Sequence, residues 1–213
     1  MTKITVISDT HNKHNQLKPY LDGGDIILCA GDISGAGRKS EVENFCKWFD
    51  GIDNYDTKIF IAGNHDWLFQ TDPNLAKEIV YSYNIKYLQD SFIIVNGIKI
   101  YGSPWQPEFL NWAFNLPRGQ MIATKWAMIP EDTDILITHG PPFGYRDTVK
   151  IGSDNLGCVD LLDRVLLVKP KYHIFGHIHG GYGKDNYDGI NFINASNLNE
   201  GYVFSNLPIN FEF

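Results

Sequence analysis

Seven side chains in this sequence have the types and the spacing to hold transition-metal ions: Asp9, His11, Asp32, Asn64, His139, His177 and His179. The set mixes imidazole, carboxylate and carboxamide and contains no thiolate. Such donors suit Mn, Fe, Zn, Co or Ni; calcium prefers oxygen alone, and a structural zinc site is richer in cysteine. His177-x-His179 puts both imidazoles on one face of an extended segment, and Asp9-x-His11 repeats that geometry. Two ions ~3.5–4 Å apart need a bridging ligand, and a carboxylate can use both oxygens for that. Asp32, alone at the tip of its apolar run, is the natural bridge. A single Asp-x-His is common in turns, and a single His-x-His is common on surfaces. All of these motifs standing at the ends of successive apolar runs is not an accident of composition.

The runs that position them are short. Ile4–Ile7 precedes Ser8-Asp9, Ile26–Ala30 precedes Gly31-Asp32, and Ile59–Ala62 precedes Gly63-Asn64-His65-Asp66. Ile135–Ile137 precedes Thr138-His139-Gly140, and Tyr172–Phe175 precedes Gly176-His177. Continuous apolar strands belong to sheets covered on both faces, and ligands of such sheets bind at the carboxyl ends of the strands. Helical spacing appears between the runs. Val42, Phe45, Cys46 and Phe49 form one stripe, with Ser40 and Glu43 as its capping box. Asp72 and Pro73 open a second helix with Leu75, Ala76, Ile79 and Val80 as its buried face. Val159, Leu162, Val165 and Leu166 mark a third, stopped by Lys169-Pro170. Ser91–Val95 and Ile98–Gly102 flank Asn96-Gly97, a strong hairpin signal, and the tail from Gly189 to Phe213 reads as short strands. The expectation is an α/β protein in which βαβ units feed a central pair of mixed sheets, in one domain spanning residues 1–213.

Composition narrows the partners. A formal charge of −7 without clustered Lys and Arg excludes a protein that coats polymeric nucleic acid or anionic lipid. No apolar stretch approaches the ~20 residues needed to span a bilayer. Cys29 and Cys46 read as small buried hydrophobes, and an odd count of three cysteines without a CxxC pair fits a reducing compartment. With no signal-peptide pattern at the start, the expected location is cytoplasmic. Of the seven histidines only His14 and His173 lie outside the motifs. His173 reads as structural; His14 is either an exposed loop residue or part of the cleft.

Taken in order, Asp9-x-His11, Gly31-Asp32, Gly63-Asn64-His65-Asp66, Thr138-His139 and Gly176-His177-x-His179 resemble the calcineurin-like metallophosphoesterase superfamily. Gly102–Pro107, Phe114–Gly119, Thr138–Pro142, Gly157–Leu162 and Phe175–Gly181 are similar to its brain-type metallophosphoesterase-domain branch, a class III phosphodiesterase-like group. The resemblance covers residues 4 to about 206. It implies a four-layer αββα sandwich of two mixed sheets flanked by helices. Carried over residue by residue, Asp9, His11, Asp32 and His179 would hold one divalent ion, and Asp32, Asn64, His139 and His177 a second. Mn2+ is the favoured metal. His65 would stand near the leaving group without binding metal, and Asp66 is either its catalytic neighbour or a helix cap. The protein phosphatases of the superfamily carry a second acid and an arginine after Gly-Asp. Here Ile33-Ser34-Gly35-Ala36-Gly37 follows, which tells against that activity.

Charge arithmetic gives an anion site in an acidic chain. Two divalent ions, set against Asp9, Asp32 and a bridging hydroxide, leave a net positive centre, and the neutral Asn64 preserves it. The expected chemistry is in-line attack by the metal-bridging hydroxide on phosphorus. The expected partner is a small phosphodiester, with cyclic nucleotides favoured by the resemblance; a phosphomonoester, or a scaffold role with little activity, are the alternatives. Trp105, Trp112 and Trp126 lie between Ser103 and Pro130. Most of these aromatics read as packing, and Trp105 and Phe109 are kept as candidates for a base-stacking wall. Arg38, Arg118 and Arg146 are the candidate phosphate contacts. Oligomeric state does not follow from the sequence.

Overall fold

Residues alternate across each strand, and that alternation divides the apolar side chains into layers. The structure is a computed structural model in which residues 1–150 and 154–213 are described. In the first sheet β1 (Lys3–Ile7), β2 (Gly24–Cys29), β3 (Tyr55–Phe60) and β4 (Lys86–Tyr87) run parallel in that order. The second sheet begins with a hairpin, β5 (Ser91–Val95) and β6 (Ile98–Ser103), turning on Asn96 and Gly97 at φ 53° and 80°. Positive φ at both central residues is the type I′ geometry that matches strand twist. Two short strands, β7 (Gln106–Pro107) and β8 (Asn115–Leu116), pair only with each other. Beyond β6 lie β9 (Ile135–Thr138) and β10 (Tyr172–Phe175), both parallel to it. On the far side of β10, β11 (Gly183–Tyr187) forms the edge, antiparallel to β12 (Ile190–Asn194). Finally β13 (Ile209–Glu212) returns antiparallel to β1 in the first sheet.

Ile4, Val6, Ile26 and Leu28 of the first sheet meet Ile100, Ile135, Ile137 and Ile174 of the second, all buried. The opposite face of the first sheet, with Ile27, Cys29 and Phe60, is covered by α1 (Lys39–Asp50) and, after the single turn α2 (Leu68–Thr71), by α3 (Pro73–Tyr81). The outer face of the second, with Leu136, Phe175 and Phe192, is covered by α4 (Gln120–Trp126) and α5 (Val159–Val168). The order is therefore helix, sheet, sheet, helix. A buried Ile or Phe contributes about 1.5–3 kcal/mol, so three such interfaces hold the strand ends rigidly.

Asp72 caps α3 by accepting from Leu75 N at 3.1 Å, with Pro73 at the first helical position. Three local expectations are corrected. The helix α1 starts one residue before Ser40, and Glu41 rather than Glu43 turns back, accepting from Arg38 N at 2.8 Å. The face of α5 is Leu161, Val165 and Val168, and Val159 is exposed. With Leu161, Leu162, Leu166 and Leu167 all apolar, periodicity alone cannot choose the face. His14 is neither in the cleft nor exposed. It is buried beside Trp48, with Nε2 3.1 Å from Asn44 Oδ1, and ties a 3-10 turn (His14–Tyr20) to α1.

Candidate metal centre

The carboxyl ends of β1, β2 and β3 in one sheet face those of β9 and β10 in the other, and the seven candidate donors stand there. Backbone bonds continue past the strands: Asp9 N donates to Gly31 O and His11 N to Asp32 O, each at 3.0 Å. Gly176 N donates to His139 O at 2.9 Å, and a bridge between Ser8 and Ser196 joins the ends of the two sheets. Four of the donors sit in the left-handed backbone region, Asp9, His11, Asp32 and His177, at φ 54°, 39°, 51° and 66°. That conformation costs a non-glycine residue roughly 1–2 kcal/mol and persists where the surroundings enforce it, often at functional sites.

Asp32 is the hub. Its Oδ2 lies 3.6 Å from His11 Nε2, 3.3 Å from His139 Nε2 and 4.0 Å from His65 Nε2. Its Oδ1 accepts from His65 N at 2.8 Å. One oxygen therefore faces both halves of the centre, rather than one oxygen facing each half. Asp9 Oδ1 lies 3.4 Å from His179 Nε2, while its Oδ2 accepts from Ser196 Oγ at 2.8 Å. Candidate ligand atoms gather as Asp9 with His11 and His179, and as Asp32 with His139 and His177, each set within 4.8 Å; His11, Asp32 and His65 form a third, overlapping set.

The donors fit divalent ions. Ligands ~2.0–2.2 Å from a common ion stand about 3–3.5 Å apart, the spacing seen here. His139 Nδ1 donates to Ala30 O at 2.9 Å, yet Nε2 also faces acceptors, Asn64 Oδ1 at 2.9 Å and Asp32 Oδ2 at 3.3 Å. Such a ring needs either a second proton or a cation at Nε2. His179 repeats the pattern, donating from Nδ1 to Asn199 O at 2.9 Å. A carbonyl on the far nitrogen is the usual way a ligating imidazole is oriented. Neither ring nitrogen of buried His11 has a hydrogen-bond partner among the described residues.

Electrostatics agree. Burial alone would raise the carboxyls of Asp9 and Asp32, but the facing imidazoles hold both far below the usual carboxylate range. Burial disfavours charge on His139 and His179 too, yet the two carboxylates push them up to about 9. Burial pulls His11 and His177 down to about 4. Two glycines make room for the carboxylates. A Cβ on Gly63 would stand 2.2 Å from Asp32 Oδ1, and one on Gly176 would stand 2.0 Å from Asp9 Oδ2.

The centre opens into a cleft of ≈ 390 Å³. His65 lies on its wall, with Nδ1 donating to Gly35 O at 2.8 Å and its ring stacked on Trp112 at 4.0 Å and 27°. Asp66 lies elsewhere. Fully buried, it accepts from Ile33 N, Ser34 N, Ser34 Oγ and Gly63 N, and burial raises its carboxyl to about 6. It braces the turns that carry Asp32 and Asn64, and it neither lines the cleft nor caps α2, the turn of helix that follows it.

The substrate candidates divide. Phe109 lines the cleft and is exposed. Arg118 also lines it, but its guanidinium is spent on Gly157 O and Leu156 O, at 2.7 and 2.8 Å. Trp105 turns away, donating to Asp90 at 2.9 Å beneath Lys125. Arg146 pairs with Asp185 at 2.6 Å, and Arg38 stands at the N-cap position of α1, outside the cleft lining. Trp112, Leu110, Glu200 and Tyr202 form the wall instead. Their spacing carries no signal; only the clustering of Trp and Phe after Ser103 pointed toward Trp112.

A model of the family described as Calcineurin-like phosphoesterase matches residues 2–181. The human metallophosphoesterase domain-containing protein 1 is 42% identical across 98% of this chain and 70% of its own length, and the mouse protein gives the same figures. The UPF0046 protein T07D4.2 of Caenorhabditis elegans is 37% identical across 99% of this chain and 59% of its own. TT1561 of Thermus thermophilus shares the fold, with a TM-score of 0.66 over 91% of this chain and 88% of that one at 14% identity. No helix among the described residues is long and apolar enough to cross a membrane. With most of its length matched and its donors gathered at one cleft, the chain belongs to the calcineurin-like phosphoesterase family.

Proposed function

We propose that this protein is a phosphodiesterase acting on small diesters, cyclic nucleotides among them, with two divalent ions of which Mn2+ is favoured. The observation that carries the reading is Asp32 Oδ2, set between His11 and His139 at 3.6 and 3.3 Å and opening onto the cleft. Asp9, His11, Asp32 and His179 would hold one ion, and Asp32, Asn64, His139 and His177 the other. When bound, the ions supply the attacking oxygen and neutralise charge on the phosphoryl group.

The chain's own residues do the rest. At ≈ 390 Å³ the cleft exceeds what phosphate alone fills, leaving room for organic groups on phosphorus. Glu108 and Glu200 line it, and Arg118 is already committed to carbonyls. That balance favours a singly charged diester over a doubly charged monoester. Anchored through Nδ1, His65 presents Nε2 to the centre, where it donates a proton to the leaving oxygen. General acid help of this kind contributes ~10²–10⁴-fold.

Metal-loaded protein should turn over bis-p-nitrophenyl phosphate faster than p-nitrophenyl phosphate. The reverse order would make it a monoesterase, and no metal-dependent rate on either would make it a scaffold. His65→Asn should keep both metals and slow an alkyl or cyclic-nucleotide ester by ~10²-fold or more. Nitrophenolate leaves unaided, so the nitrophenyl ester should be slowed far less. Equal losses would remove the acid assignment.

A further inference from the structure

Tyr202 belongs to no motif, yet the chain distorts itself to place it. It adopts φ 57° in the turn between Asn199 and Val203, a left-handed conformation unusual for a bulky residue. Several bonds enforce the turn. Asn199 Oδ1 accepts from Gly201 N and Val203 N, at 2.9 and 3.0 Å. Asn199 N donates to Val203 O at 2.9 Å, and Lys13 Nζ donates to Tyr202 O. Asn199 O accepts both Tyr202 N at 2.8 Å and His179 Nδ1 at 2.9 Å. One carbonyl thereby references the tyrosine to an imidazole of the centre.

The ring that results lines the cleft and leans over three histidines, with centroids 4.8 Å from His11, 5.2 Å from His179 and 6.4 Å from His65. No hydrogen bond to its hydroxyl exists among the described residues, and the residue is 44% exposed. A strained, over-determined backbone that lays a tyrosine ring beside three histidines of the cleft, with no partner for its O–H among the described residues, argues for a contact made only when ligand is bound. Packing alone would be served by phenylalanine.

We propose that Tyr202 is a substrate-contacting residue, its hydroxyl donating a hydrogen bond to a non-bridging oxygen of the bound phosphoryl group. The inference rests on the phosphoester reading above. It assigns the wall over the His11 and His179 half to the phosphoryl group, and leaves the Phe109 and Trp112 side for the organic group.

Inorganic phosphate is the probe, titrated calorimetrically into Mn2+-loaded protein. Tyr202→Phe keeps the ring and should weaken phosphate about tenfold, as loss of one hydrogen bond to a charged group does, with metal content and melting temperature unchanged. Its kcat/KM on bis-p-nitrophenyl phosphate should fall by at least as much. Tyr202→Phe that binds phosphate like the wild type, with weakening only in Tyr202→Leu, would make the ring a cover and overturn the proposal. Phosphate binding that weakens in Tyr202→Phe while the wild type turns over no diester would support the contact and remove the phosphodiesterase reading. A metal-loaded wild type that binds no phosphate overturns both.

Discussion

The rim of strand ends and the wall of loops border the same cleft and are built differently. Rim donors follow their strands within a few residues, are mostly buried, and are locked by bonds such as Asp9 N to Gly31 O. On the wall, Phe109 and Leu110 are 59% and 76% exposed and hang from β7 and β8, strands of two residues each. The difference separates two tasks. Holding metal, as proposed, tolerates errors of only a fraction of an ångström and suits the layered sheets; recognising an organic group tolerates more and suits loops.

The largest test of that division is Asp32→Asn. Losing the shared oxygen's charge should drop bound metal below one ion per chain and turnover roughly 10³-fold or more; elemental analysis after reconstitution reads the first. One tightly held ion with full activity would end the two-ion reading. Next is Asn64→Asp, which should retain metal yet slow turnover on the order of 10²-fold by cancelling positive charge facing the substrate. Unchanged steady-state kinetics would show that charge at this ligand does not matter. On the wall, Trp112→Leu should raise KM for a cyclic nucleotide by roughly tenfold, the scale of one base–aromatic stack. Trp105→Leu should leave KM alone, and if the two exchange roles the assignment of the wall is wrong.

The smallest effect concerns the support beneath the rim. Thr138 Oγ1 donates to Gly140 O, so buried His173 must donate from Nε2 to Thr138 at 2.8 Å, leaving Nδ1 without a hydrogen-bond partner among the described residues. Burial lowers this imidazole from 6.5 to about 3. The unfolded chain then binds the extra proton between those values. This contribution to stability is full above pH 6.5 and declines by at most about 1.4 kcal/mol per pH unit as pH falls toward 3. His173→Gln keeps a donor without the titration, so its unfolding midpoint in urea should fall less steeply on acidification. Parallel curves would place the acid sensitivity elsewhere.

The same division explains what could be read from the chain. Asp9-x-His11 and His177-x-His179 are legible because donor chemistry is narrow and each pair follows an apolar run. The extended geometry expected of them is not adopted, since Asp9, His11 and His177 are left-handed and His179 opens a 3-10 turn. The pair of mixed sheets is legible because short apolar runs alternate with helical stripes, while the four-layer order follows only from the family resemblance. Trp105 and Trp112 look alike in sequence, and what separates them is long-range, since Trp105 finds Asp90 and Trp112 finds His65. Asp66 reads as catalytic or capping because its partners Ile33 and Ser34 lie about thirty residues away. Arg118 and Arg146 are cations by type, but their carbonyl and carboxylate partners belong to other elements.

The way Asp9 is held has a consequence for biosynthesis. Its carboxylate accepts from His177 N and from Ser196 Oγ, residues that a ribosome adds nearly the length of the chain later. Until they emerge, the nascent polypeptide carries Asp9, His11, Asp32 and Asn64 without the bonds that fix the Asp9 carboxylate. By then the residues of every strand but β13 have been made. On the proposed two-ion reading, discrimination among divalent cations therefore belongs to the assembled protein, and a chain truncated before Ser196 should lose it.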